Sequence, residues 1–353
     1  MAANITYHEQ TDMDNIRKLR EVLKTLPAFA KDYFRAIEPT TSTKTRISYA
    51  YDIRIFFQFL ISQNPSLAKI GIPNLNVSVL DQLKPIDIEE YMEYLKLYDS
   101  PNDQTAITNG ERGLKRKISS LRSFYTYYYK RQAIKTNPVQ LVDMPKIHDK
   151  AIIRLDAGET AALLDYIEHC GDQLIGQRKA YYEKTKLRDL AIVTLLLGTG
   201  IRVSECVGLD VEDIDFRNNG IRLIRKGGSE MVVYFGPEVE KALKDYLEAR
   251  KAISPLEGHE HALFYSTQRK RIGVQAVENL VKKYARAITT TKKITPHKLR
   301  STYGTTLYQE TGDIYLVADV LGHKDVNTTK KHYAAMDDAR RRKAATAIRL
   351  RED

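Results

Sequence analysis

Six residues in the second half of the chain have types suited to work on a phosphate: Arg202, Lys226, His297, Arg300, His323 and Tyr333. His297 and Arg300 are three positions apart, so on a helix they share a face. Together they can grip one phosphate, the arginine with a planar fork and the histidine with a single N–H. Lys226 stands in "RKGGSE", where a lysine at a hairpin turn can reach a phosphate or protonate a leaving oxygen. His323 follows Leu321-Gly322, and a glycine there lets the backbone turn its neighbour into a pocket. Tyr333 has a phenolic oxygen that can attack phosphorus and form a covalent phosphodiester. Each residue taken alone also has a structural reading. Glu205 is an ordinary ion-pair partner for Arg202, Lys226 suits an exposed strand end, His297 and Arg300 suit a salt-bridged helix start after Pro296, and a lone tyrosine usually packs.

Positioning such groups requires a scaffold, and the second half supplies mixed patterning. "LDAGETAALLDYIEHC" (155–170) starts a helix, and 186–214 reads as helix, Gly-rich turn at 198–200, then helix. Residues 220–236 alternate around Gly227-Gly228, the pattern of a β-hairpin or a small three-stranded sheet. An amphipathic helix over 236–253 follows, then "ALFYS" and the helical "VQAVENLVKKYARAI". The first half reads as all-helical, with helices over 14–37, 40–63, 84–98 and 109–134. The proline-marked stretch 136–150 is the best boundary between the halves.

Lys44, Arg46, Arg54, Lys115, Arg116, Lys117 and Arg122 crowd two helices of the first half, with Lys130 and Arg131 close behind. Tyr49, Tyr51, Tyr125, Tyr127, Tyr128 and Tyr129 interleave with them. Lysine and arginine neutralise phosphates, and tyrosine adds packing area and a hydroxyl, so a DNA-binding face is one reading. A solvated face with half-buried tyrosines is the other. The chain carries 56 Lys+Arg against 45 Asp+Glu, a formal charge of +11, which favours a polyanionic partner. With 353 residues it suits two domains. The longest apolar run, 190–198, is far short of the ~20 residues that span a bilayer, and the first residues lack an apolar signal core. Cys170 and Cys206 form no CxxC pair, so neither a disulfide scaffold nor a structural zinc site is expected, and a reducing cytoplasm is the simplest setting.

The order Arg…Lys…His-x-x-Arg…His…Tyr decides among these readings. In "LLLGTGIRVSECVGL", "IRKGGSE", "ITPHKLRSTYGTTLYQETGD" and "VADVLGHKDVNTTKKHYA" the chain resembles the tyrosine recombinases, lambda-integrase-like and Xer-like enzymes that break and rejoin DNA. The resemblance is strong over 151–336 and weaker over 25–140, which looks like the family's SAM-like core-binding domain. The spacing from His323 to Tyr333 is one residue longer than in the Xer subgroup.

The resemblance implies a mainly α fold with a small antiparallel sheet. It implies a helical core-binding domain over 1–140, a linker over 141–152, an α+β catalytic domain over 153–336 and a tail helix over 337–353. It further implies that Arg202 and Arg300 hold the non-bridging oxygens of the scissile phosphate. His297 and His323 would hydrogen-bond it or move protons, Lys226 would protonate the 5′-oxygen, and Tyr333 would be the nucleophile. The expected partner is a double-stranded recombination site, filled by a homo-tetramer across two sites, with an accessory protein left open. The two domains would clamp the duplex, and each tail would dock on the neighbouring protomer. No metal, no other cofactor and no membrane are expected. A type IB topoisomerase and a catalytically silent DNA-binding accessory protein are the alternatives.

Overall fold

The computed structural model describes residues 6–99, 105–148, 152–225, 230–323 and 326. The chain divides into two compact units, Met1–Lys150 and Ala151–Asp353.

In the first unit the helices are α1 (Tyr7–Lys24), α2 (Ala30–Ala36), α3 (Thr43–Gln63), α4 (Pro65–Ile70), α5 (Pro85–Tyr94) and α6 (Glu111–Lys130). Between α5 and α6 lies an antiparallel ribbon of β1 (Leu97–Asp99) and β2 (Ala106–Thr108), in register at Tyr98 and Ile107. The start of α1 is a capping box, with Thr6 and Glu9 satisfying each other's backbone amides. The single helix expected over 14–37 is two helices. Pro27 lacks an amide hydrogen to continue the ladder, and α1 closes at Thr25. The expectation of an all-helical first half is likewise corrected. The helix read over 84–98 ends at Tyr94, and its last residues pair as β1.

The core of this unit is aromatic. Tyr33, Phe56, Phe57, Phe124 and Tyr125 are fully buried, and Tyr33 meets Phe124 edge to face with ring centroids 5.1 Å apart. Two of the tyrosine hydroxyls find partners here: Tyr33 bonds Ser123 at 2.9 Å and Tyr128 donates to the Phe29 carbonyl at 2.7 Å. Tyr125 and Tyr128 are therefore core residues, while Tyr129 stays exposed.

The second unit comprises α7 (Ala157–His169), α8 (Gly176–Thr199), α9 (Val203–Gly208), β3 (Ile214–Asp215), β4 (Gly220–Ile224), β5 (Glu230–Tyr234), α10 (Pro237–Arg250), α11 (Val274–Ile288), α12 (Pro296–Thr311) and α13 (Ile314–Leu321). The strands form one antiparallel sheet in the order β3-β4-β5, with Ile221 opposite Val233. Helix α8 is the axis of this unit and packs against α7, α10 and α12. Its Ala191, Ile192, Val193, Leu195 and Leu196 are all fully buried, and burying each leucine or isoleucine side chain contributes roughly 1.5–3 kcal/mol. The helix ends at Gly200, which takes the left-handed conformation at φ +62°. A Cβ there would strike the ring of Tyr303 on α12, so only glycine lets α8 stop in this place.

Candidate active site

Arg202 is the N-cap of α9, two residues beyond that turn. Glu205 accepts its backbone amide at 2.7 Å and its Nη1 at 2.7 Å. Its Nη2 donates to the Gly322 carbonyl at 3.3 Å. The Glu205 carboxylate is buried, whereas the Arg202 side chain remains 41% exposed. Next to Glu205, Cys206 is sealed in the core, and burial pushes its thiol up to about 12, so it carries no reactive thiolate. Arg271 holds the far end of this short helix, donating to the carbonyls of Val207 at 3.1 Å and Leu209 at 2.8 Å and pairing with Asp210.

Helix α12 starts with Pro296 at its first position, where a missing amide costs nothing. His297 follows on the exposed surface, and Arg300 lies buried one turn on. Arg300 donates through Nη1 to the Gly200 carbonyl at 2.5 Å and through Nη2 to the Leu321 carbonyl. A cleft of about 320 Å³ runs past the starts of α9 and α12, lined by Val203, Gln275, Asn279, Lys282, Pro296 and His297.

The end of α13 draws these groups together. Its side-chain cap is at the other end, where Asp313 accepts the amides of Tyr315 and Leu316. At the C-terminus three successive carbonyls meet three guanidinium groups. Val320 accepts from Arg225 at 3.0 Å, Leu321 from Arg300, and Gly322 from Arg202. The last carbonyls of a helix lack intrahelical donors and form its negative end, so cations collect there. His323 comes directly after, its amide closing on the Ala318 carbonyl at 2.9 Å. The structure thus brings Arg202, Arg300 and His323 to one place and puts His297 one turn before Arg300. Lys226 and Tyr333 lie outside the described residues, as does the expected tail helix over 337–353.

Arg225 did not stand out in the sequence. It precedes Lys226 at the end of β4, where a charged residue ordinarily faces solvent. Here its side chain is 9% exposed. Burial lowers its pKa first, the Glu205 carboxylate opposes that, and the charge of Arg202 adds to the lowering.

The seven basic residues expected to bind DNA divide into two groups. Arg46 is buried and pairs with Glu38 at 2.8 Å. Lys117 is buried 3.5 Å from Asp52, whose carboxylate also pairs with Arg116. Burial raises the pKa of Asp52 against the pull of both cations, and burial lowers that of Lys117. Arg122 donates to the carbonyls of Val139 at 3.0 Å and Val142 at 2.9 Å, tying the end of the first unit to α6. These three arrangements spend the charge inside the fold. Lys44 and Arg116 are exposed, Lys115 is half-buried, and Arg54 lies over the ring of Tyr51 at 4.9 Å.

The sequence pattern of the phage integrase family matches residues 154–340, which contain every element just described for the second unit. The chain belongs to the phage integrase family. It is a tyrosine recombinase, an enzyme that breaks and rejoins DNA strands at specific sites. Tyrosine recombinase XerC of Caldanaerobacter subterraneus subsp. tengcongensis is 32% identical over 346 residues, covering 94% of this chain and 90% of the relative. Tyrosine recombinase XerS of Lactococcus lactis subsp. cremoris is 30% identical, covering 90% of this chain and 93% of the relative. Two solved structures share the fold. The Tn1549 transposon integrase in complex with transposon right end DNA has a TM-score of 0.63 at 21% identity, over 90% of this chain and 98% of that one. The XerH site-specific recombinase bound to palindromic difH substrate has a TM-score of 0.61 at 19% identity, over 86% and 79%. These relatives give no support to the topoisomerase or the silent-accessory reading. Among the described residues no helix is long and apolar enough to cross a membrane, and no three His, Cys, Asp or Glu side chains gather as a metal site.

Proposed function

We propose that this recombinase cuts one DNA strand with Tyr333 and holds it as a 3′-phosphotyrosine. The observation that carries the reading is the convergence of Arg202, Arg300 and His323 on the end of α13, with His297 on the same helix as Arg300. Arginine has five N–H donors, so contacts to carbonyls orient Arg202 and leave donors for the non-bridging oxygens of a phosphate. Two such cations, fixed before the reaction, neutralise charge as the pentavalent phosphate forms. The phenolic oxygen of Tyr333 attacks phosphorus, the bond to the 5′-oxygen breaks, and Lys226 gives that oxygen its proton. His297 and His323 hydrogen-bond the phosphate or take the proton that the phenol gives up. The ester to tyrosine keeps the bond energy, so a 5′-hydroxyl from another strand reverses the step and rejoins the DNA.

The partner is double-stranded DNA, in keeping with the excess of Lys and Arg and with the DNA-bound relatives. Lys44, Arg54 and Lys115 form the phosphate-binding set of the first unit, joined by the exposed part of the Arg116 guanidinium that Asp52 leaves open, since Arg46, Lys117 and Arg122 are engaged internally. Two free buried cysteines suit a reducing cytoplasm. Four protomers act on two sites, and residues 337–353 of each dock on a neighbour.

The test is Tyr333→Phe on a nicked suicide substrate. The variant binds its site and yields no covalent adduct. An adduct that survives the substitution places the nucleophile elsewhere.

A further inference from the structure

Arg225 belongs to none of the motif positions, yet it is built into the same helix end as the two motif arginines. Its Nη2 donates to the Val320 carbonyl at 3.0 Å, one residue before the carbonyl held by Arg300 and two before that held by Arg202. Its Nε lies 3.8 Å from Oε1 of Glu205, the oxygen that accepts from Arg202 at 2.7 Å. That Nε is buried and has no hydrogen bond among the described residues, so the carboxylate meets it as a charge. Glu205 therefore stands between two guanidinium groups, drawn by both.

Gly322 makes the arrangement possible. Its α-carbon faces the Arg225 guanidinium so closely that a Cβ would fall on Nη1. It also sits at φ +61°, the left-handed region that glycine enters without strain. The backbone between His323 and α13 is thus pressed against Arg225, while the Gly322 carbonyl on the same residue receives Arg202.

We propose that Arg225 is a positioning residue for DNA cleavage, wedged between Glu205 and Gly322 so that Arg202 and His323 hold one arrangement against the phosphate. It acts through those residues and does not itself touch the DNA. This rests on the reading of Arg202 and His323 as phosphate ligands. A solvent-facing arginine would do nothing of the kind, because it would have no fixed carbonyl and no shared carboxylate.

The experiment measures covalent adduct formation in single turnover on a suicide substrate, half-site affinity, and thermal unfolding, all with the full chain. Wild type forming an adduct and Tyr333→Phe forming none establishes the underlying reading independently. Arg225→Ala then binds its half-site within about threefold of wild type and cleaves about 10²-fold more slowly, the loss typical of a misplaced reacting group. Arg225→Lys, which keeps a cation beside Glu205 and a donor for Val320, recovers part of the rate. A cycle with Gly322→Ala separates coupling from backbone strain. The alanine slows wild type strongly, but in the Arg225→Ala background it adds much less, because the colliding group is gone. Arg225→Ala cleaving at the wild-type rate, or the two losses simply multiplying, overturns the proposal. If Arg225→Ala does not fold, Arg225→Lys and Gly322→Ala decide it. Both cleaving like wild type while folded would reject the wedge.

Discussion

Arg300 donates to the carbonyl of Gly200 across 100 residues of chain, at 2.5 Å. That bond joins the start of α12 to the end of α8. A residue proposed to hold the scissile phosphate is thereby also one that holds the second unit together.

Arg300→Ala and Arg202→Ala should therefore differ. Both lose about 10²–10³ in cleavage rate, as when a preorganised donor to a developing anion is removed. Arg300 is buried, so its loss also strands the Gly200 and Leu321 carbonyls at about 1–3 kcal/mol each. Calorimetry should show a Tm lowered by several degrees for Arg300→Ala and less for Arg202→Ala, whose side chain is 41% exposed and whose removal leaves the buried Glu205 carboxylate still facing Arg225. Equal melting temperatures would mean that Arg300 does no structural work.

The basic residues of the first unit should separate in a salt titration. Lys44→Ala and Lys115→Ala each remove a phosphate contact, which lowers the slope of log K against log salt by about 0.9. Arg46→Ala and Lys117→Ala should leave that slope in place and lower Tm, since their partners are Glu38 and Asp52. A changed slope for Arg46→Ala would return that residue to the DNA face.

Lys226→Ala should cleave DNA poorly and recover on a substrate whose 5′-bridging oxygen is replaced by sulfur, which leaves without a proton. Failure to recover would remove the general-acid role from Lys226.

At the end of the first unit His148 donates through Nδ1 to the Glu111 carboxylate at 2.6 Å, and its backbone amide donates to the same carboxylate at 2.9 Å. The hydrogen bond first, and the carboxylate charge second, raise the histidine pKa. A raised folded-state pKa means that the contact stabilises fully below the unfolded value near 6.5, and that this is lost as pH rises through the folded one. NMR titration should show the His148 midpoint falling in Glu111→Gln. An unmoved midpoint would deny the pairing.

Much of this was legible from residue order. The hairpin showed in the alternation around Gly227-Gly228, and β4 and β5 stand on either side of it. The stop at Gly200 showed as "LLLGTG". Other features depend on partners that local patterning cannot see. Pro27 was read through because apolar spacing continues on both sides of it. The strands β1 and β2 have three residues each, too few to show alternation. Arg46, Lys117 and Arg122 counted as surface charge because their partners lie 8, 65 and 17 residues away. Arg225 drew no notice in the sequence because Gly322, whose missing side chain admits it, comes nearly a hundred residues later.

The three acceptors at the end of α13 are main-chain carbonyls, which no substitution can delete. Tyr315 on the outer face of α13 is 71% exposed and free to drift without disturbing them. Length is another matter. Removing one residue from α13 would turn its last carbonyls by about 100° relative to its start, unhitching Arg225, Arg300 and Arg202 together. The helix that organises this site tolerates a change of spelling far better than a change of count.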